Sequence, residues 1–220
     1  MKALVVAGGE PVETDLEQLE TADLVIAADA GARWLRSHER RPDLLVGDLD
    51  SVDADLVDEL AAAGVRVERH PSDKDASDVE LALERAVADG ADRVVLVGAL
   101  GGPRLDHELA NLLLLADPIW DRELEELRIV RGDTLVRAAR PGRPVRLEAD
   151  AGSLVTLVPI GGDAEGVRTT GLRYALDGDR LRLGRSRGLS NVVERSPATV
   201  ALTEGALLVI ESPPERREDP

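Results

Sequence analysis

The 220-residue sequence predicts an α/β fold: an N-terminal domain built on a parallel sheet, residues 1–140, followed by a small C-terminal all-β sandwich, residues 141–220. Three observations carry this. Short apolar runs alternate with helical patterns as far as about residue 140, the pattern of strands in a parallel sheet covered by helices. That pattern stops at Arg140-Pro141-Gly142-Arg143-Pro144. Beyond it, short strands follow one another between Gly, Asp and Pro, as in a sandwich or barrel.

In the first domain, strands are expected at Ala3–Ala7, Leu24–Ala28, Leu44–Val46, Val65–Glu68, Arg93–Val97 and Leu127–Val130. Helices are expected between them at Leu16–Glu20, Ala32–Ser37, Ala54–Ala63, Ser77–Ala88 and Glu108–Ala116. Val79, Leu83, Ala86 and Val87 fall on one face at helical spacing. Trp34 and Trp120, on apolar helical faces, are expected in the core. The second domain should carry strands at Val145–Glu148, Leu154–Pro159, Gly166–Thr170, Leu181–Leu183, Thr199–Leu202 and Ala206–Glu211. The charged tail Pro213–Pro220 is expected to be disordered. There is no internal repeat.

Composition removes several classes of function. With no cysteine, disulfides and thiolate-bound metals are excluded. With only three histidines, a bound metal would be held mainly by oxygen, which favours a hard cation such as magnesium or manganese. A net charge of −16 argues against a nucleic-acid partner gripped by a broad basic face. The longest apolar run, around Leu112–Ala116, is far short of the roughly 20 residues a membrane span needs. The N-terminus lacks a signal-peptide core, so a cytoplasmic location is expected. Lys2 and Lys74 are the sole lysines beside 25 arginines, and Lys74 lies between two aspartates.

In an open parallel sheet, ligands bind beyond the carboxyl ends of the strands. Every exit here carries glycine, carboxylate or both: Gly8-Gly9; Asp29-Ala30-Gly31; Gly47-Asp48-Leu49-Asp50-Ser51; Ser72–Asp78; Gly98–His107. Asp48 and Asp50, two apart, would face the same way in extended geometry. Their mutual repulsion is what a divalent cation relieves. An Asp-rich turn with Asp50 capping the next helix is the simpler alternative. Asp75 and Asp78 also read as a variant capping box, which leaves Asp73 and Lys74 unexplained. Gly101-Gly102 ahead of a helix beginning near Asp106 offers N–H groups to a phosphate, and Arg104 could add a bidentate contact. The alternative is a flexible turn with Asp106 as the cap. His107 reads as a structural hydrogen-bonder. The G-x-x-x-x-G-K-[ST] spacing is absent, so this is not a P-loop.

These segments, in this order, resemble the thiamine pyrophosphokinase family. Ala28–Ala32 is similar to its A-D-x-G-A, Gly47–Ser51 to its G-D-x-D-S, Asp73–Asp78 to its D-x-D-x-[ST]-D, and Gly98–His107 to its G-x-x-G-G-R-x-D-H. Thr170–Tyr174 and Gly188–Asn191 resemble its G-L-x-[WY] and S-N segments. The resemblance implies a nucleotide-binding α/β domain joined to a β-sandwich that binds thiamine and dimerises. It implies transfer of a pyrophosphoryl group from ATP to thiamine, with Mg2+, in a homodimer whose sites lie between subunits. By the same resemblance Asp48, Asp50 and Asp78 hold the magnesium, with Asp75 among the catalytic residues. Asp29, Gly31, Asp73, Lys74, Gly101, Gly102, Arg104, Asp106 and His107 would bind ATP. Asp78, Ser190 and Asn191 would meet the substrate.

The sequence departs from the family pattern at a few places. Pro103 is an extra residue inside the glycine segment, and Leu49 and Ser77 are mild variants. Val192-Val193 follow Ser-Asn, which leaves Tyr174 to stack on a pyrimidine. Rival readings are a pyrophosphokinase acting on a hydroxymethylpterin, a non-catalytic nucleotide-binding regulator, and a halophilic structural protein whose aspartates are only solvated surface.

Overall fold

The computed structural model describes residues 1–214. The charged tail lies, from Glu215 on, outside the described residues. The chain divides into two compact units, Met1–Gly132 and Asp133–Pro220. The division falls a few residues ahead of the Pro/Gly run because the segment just before that run is a strand of the second unit.

In the first unit, six strands run in parallel: β1 (Lys2–Val6), β2 (Leu24–Ala28), β3 (Leu44–Gly47), β4 (Arg66–Arg69), β5 (Arg93–Val97) and β6 (Glu126–Arg131). Their order is β6-β5-β1-β2-β3-β4, every pair parallel. The chain therefore winds outward from β1 through β4, returns to the other side of β1, and continues through β6. The crevice between β1 and β5 is the switch point where such sheets place ligands. The helices are α1 (Glu17–Glu20), which follows a 3-10 turn at Glu13–Leu16, α2 (Gly31–Ser37), α3 (Ala54–Ala62), α4 (Asp78–Ala88), α5 (Leu105–Leu114) and α6 (Trp120–Glu123). Leu4, Val5, Ile26, Leu45, Leu96 and Val97 are buried, as strands covered on both faces require. Trp120 is core as expected. Trp34 is only half-buried and leans on the His38 ring, 4.8 Å away between centroids.

Close packing of α2 on β1 depends on one missing side chain. A Cβ on Gly31 would lie 1.9 Å from the Val6 carbonyl oxygen. Gly31→Ala should therefore cost about 1–3 kcal/mol through forced displacement of α2. A thermal melt against the parent checks this; an unchanged midpoint would show that the helix yields freely.

The second unit is antiparallel. Its strands are β7 (Thr134–Ala139), β8 (Val145–Arg146), β9 (Leu154–Pro159), β10 (Ala164–Thr170), β11 (Asp177–Leu181), β12 (Asn191–Val192), β13 (Thr199–Ala201) and β14 (Leu207–Ser212). They form two sets, β12-β9-β14-β7 and β11-β10-β13-β8. Both contribute to one apolar cluster that includes Val155, Leu157, Val167, Leu181, Val200, Leu207 and Val209. β7 was not expected as a strand; it pairs with β14 from Leu135 to Ala139. β11 ends where a strand was expected to start, since Asp177 and Asp179 pair with β10 despite their charge. Among the described residues no helix is long and apolar enough to cross a membrane.

Candidate active site

The exits of β1, β2, β3 and β5 and the start of α4 meet around one cavity of about 420 Å³. Asp29, Asp48, Asp50, Ser51, Asp78, Gly101, Gly102, Arg104, His107, Glu108 and Asn111 are among the residues that line it. Aspartates up to 49 positions apart in sequence, Asp29 to Asp78, thus reach one end of the sheet. Of the other candidates, Lys74 touches the cavity wall through Asp78, its Nζ donating to Asp78 Oδ1 at 2.5 Å. Asp73 and Asp75 are exposed and do not line the cavity, and Asp106 is exposed on α5. Gly31 lies behind the cavity against β1.

Asp29, Asp48 and Asp78 each offer an oxygen, and the three oxygens lie within 4.8 Å of one another. Asp29, and not the expected Asp50, completes this trio of oxygens, while Asp50 lines the same cavity. Backbone geometry explains the exchange: Leu49, between the two aspartates, adopts φ 63°, so Asp48 and Asp50 are not in extended register. The Asp50 N–H instead donates to Asp48 Oδ1 at 3.1 Å, closing a local turn. Asp29 is itself left-handed at φ 47°, a conformation that aspartate tolerates better than most residues. Gly47 makes room: a Cβ there would sit 3.1 Å from Asp29 Cβ and 3.2 Å from Asp78 Oδ1.

The helix-cap alternatives do not hold. Ser77 caps α4, its hydroxyl accepting the Glu80 N–H at 3.2 Å, and Asp53 occupies the cap position of α3. Arg104 precedes α5, so Asp106 is inside the helix; its carboxylate receives two hydrogen bonds from the Arg104 guanidinium, at 2.9 and 2.6 Å.

Burial raises the Asp29 carboxyl above its ordinary value against an opposing hydrogen bond from the Ser51 hydroxyl, and Asp78, Asp48 and Asp50 push in the same direction as burial. Its other oxygen, Oδ1, is buried with no hydrogen-bond partner. The Asp50 N–H holds Asp48 below the ordinary carboxylate range. A buried carboxylate oxygen without a donor, beside two further carboxylates, suits a hard divalent cation such as magnesium.

The glycine turn after β5 is held from two sides by α5. The Gly101 N–H donates to Glu108 Oε2 at 3.2 Å, and the buried Asn111 donates from Nδ2 to the Ala99 carbonyl at 2.9 Å. In the second unit, Ser190 is exposed at φ 55°, its N–H donating to Thr156 Oγ1 at 3.1 Å. Asn191 is buried: Oδ1 accepts the Tyr174 N–H at 3.0 Å and Nδ2 donates to the Tyr174 carbonyl at 2.8 Å. Its amide holds the turn that presents Tyr174, which is 64% exposed.

Two family models match the chain. The thiamin pyrophosphokinase catalytic domain spans residues 16–126, half of the sequence, and the thiamin pyrophosphokinase vitamin B1 binding domain spans residues 144–207. The chain belongs to the thiamine pyrophosphokinase family. It is 26% identical over 190 residues to the thiamine pyrophosphokinase of Bacillus subtilis (strain 168), a match covering 86% of this chain and 87% of that one. To thiamine pyrophosphokinase 1 of Oryza sativa it is 27% identical over 180 residues, 77% of this chain and 65% of that longer one. The crystal structure of the Bacillus subtilis thiamine pyrophosphokinase superposes with a TM-score of 0.83 at 25% identity, covering 97% of this chain and 99% of that one.

Sequence reasoning assigned no role in this thiamine pyrophosphokinase family member to Ser51, Glu108 or Asn111. Ser51 stood in a quoted motif, directly after Asp50. Glu108 and Asn111, three apart on α5, gave no signal beyond a helical pattern; their turn toward the glycine segment is tertiary.

Proposed function

We propose that this chain transfers the pyrophosphoryl group of ATP to the hydroxyl of thiamine, giving thiamine diphosphate and AMP. The carrying observation is the trio Asp29, Asp48 and Asp78, with its donorless Oδ1, beside a glycine turn at the switch point of a parallel sheet. Two family models of matching specificity support the acceptor. The first domain would bind ATP and catalyse; the second would bind thiamine and dimerise.

In this reading the trio holds Mg2+, with Asp50 beside it. The bound ion supplies neutralisation of the polyphosphate charge. The remaining work is positioning, the main requirement of phosphoryl-type transfer. The Gly101-Gly102 turn and Arg104 receive the polyphosphate. Lys74, 2.5 Å from Asp78, offsets negative charge as AMP leaves. The thiamine hydroxyl oxygen bonds to the β-phosphorus as the bond from that phosphorus to the oxygen bridging the α-phosphate breaks, and Asp78 accepts the hydroxyl proton. Tyr174, held by Asn191, gives an exposed ring for stacking on the pyrimidine. Leu105, Leu109 and Leu113, exposed at every fourth position of α5, support a homodimeric assembly. A cytoplasmic location belongs to the same proposal.

Incubation with Mg-ATP and thiamine should yield AMP and thiamine diphosphate in equal amounts, and EDTA should abolish both. A 6-hydroxymethylpterin arm decides the acceptor: diphosphorylated pterin without thiamine diphosphate would replace thiamine in this assignment. Absence of AMP with either acceptor would defeat the enzymatic reading.

A further inference from the structure

Glu108 lies in the first turn of α5, half-buried, and lines the same cavity as the carboxylate trio. Its Oε2 accepts the N–H of Gly101, one of the groups that a polyphosphate would take. The guanidinium nearest to it in sequence, Arg104, is engaged by Asp106 through two hydrogen bonds. An acidic side chain therefore sits on the anion-binding turn of a site whose ligand is itself an anion. We infer that Glu108 is an internal anion that holds the Gly101 N–H until a polyphosphate displaces it, and that it thereby selects metal-loaded nucleotide over free nucleotide. This rests on the nucleotide reading of the cavity given above.

The physical reason is that one N–H cannot fully serve two anions. The displaced carboxylate also stays on the cavity wall, where repulsion grows with the charge of the ligand. Free ATP carries about twice the negative charge of its magnesium complex, so Glu108 opposes the free form more strongly. A residue that only braced the turn would make no such distinction. Gln separates the two roles, because it keeps a carbonyl oxygen for Gly101 and removes the charge.

The test is calorimetric titration of the full chain and its Glu108→Gln variant with a non-hydrolysable ATP analogue, once with excess Mg2+ and once with EDTA. The variant should bind the metal-free analogue about tenfold more tightly and the metal-loaded one about threefold or less, with the gain shrinking at high salt. Unchanged or weaker metal-free binding by the variant would overturn the inference, and so would an equal gain in both metal states. If Glu108→Ala weakened binding while Glu108→Gln left it unchanged, Glu108 would be a brace and the inference would fall. Should neither parent nor variant bind nucleotide, the nucleotide reading itself would fail, and this inference with it. If the variant did not fold, the parent protein would still decide: inorganic triphosphate should shift the Gly101 amide resonance at a lower concentration with excess Mg2+ than in EDTA, and equal midpoints, or a resonance unmoved in both, would overturn the inference.

Discussion

Replacing Asp29 with Asn is expected to cut turnover by about 100-fold or more while leaving the fold as stable as the parent, or more stable. The catalytic loss follows from removing one of three carboxylates that converge within 4.8 Å, since preorganised charged groups of this kind contribute on the order of 10²–10³ in rate. The stability expectation follows from the opposite sign of the same charge. Burial and three neighbouring aspartates raise the Asp29 carboxyl above its ordinary value of 3.8. A carboxyl raised in the folded state favours folding below its unfolded pKa, and that contribution is lost as pH climbs through the folded one. Near neutral pH the ionised, half-satisfied carboxylate is therefore a cost. Asn removes the charge, retains an oxygen for the Ser51 hydroxyl, and is tolerated at φ 47°. Melting curves should show a midpoint equal to or above the parent's without metal. Added Mg2+ should raise the parent's midpoint more than the variant's, because a ligand bound only by the folded state stabilises it. Full turnover in a folded Asp29→Asn protein would remove this trio from the chemistry.

That prediction centres on Asp29 and not on Asp50, which marks where the sequence stopped being sufficient. The parallel sheet was legible because its central strands are largely apolar runs: Leu24–Ala28 and Arg93–Val97 fall where periodicity put them. The exits were legible for the same reason, since a parallel strand's carboxyl end is where ligands collect. Which three carboxylates converge was not. Asp48-Leu49-Asp50 reads as an extended triplet with two parallel carboxylates, and only the left-handed turn at Leu49 separates them. No local pattern announces positive φ at a leucine, and Leu49 adopts it while buried in the core at 6% exposure. Glu108 and Asn111 were invisible in the same way, because their partners lie on the loop before their own helix. In the second unit, β7 lacked a sequence signal because Thr134–Ala139 has no strict alternation, and it is a strand through its pairing with β14.

β14 also carries the feature behind the second large effect, a charged residue at an inward position. Arg137→Met is expected to destabilise the protein by about 3 kcal/mol, lowering the melting midpoint by roughly 6–12 °C. Leu207, Val209 and Glu211 share the face of β14 that turns to the apolar cluster, and Glu211 is only 2% exposed. Its carboxylate is bonded to the Arg137 guanidinium and accepts the N–H groups of Glu148 and Ala149 at 2.6 and 2.7 Å. Arg137, on β7, also reaches Glu148 Oε1 and the Arg146 carbonyl. Removing the arginine leaves a buried carboxylate with two backbone donors and no cation, and breaking one side of such a pair costs more than the intact pair contributes. The double variant Arg137→Met with Glu211→Gln should therefore recover most of the loss, because Gln keeps a carbonyl oxygen for the Glu148 and Ala149 N–H groups without an unpaired charge. The reciprocal single change, Glu211→Gln, should cost less than Arg137→Met, since Arg137 keeps Glu148 and the two N–H groups keep an acceptor. Chemical denaturation of the three variants and the parent closes the cycle. A loss below about 1 kcal/mol for Arg137→Met, within the range of exposed ion pairs, would mean that water reaches Glu211 and that the pair is not part of the core.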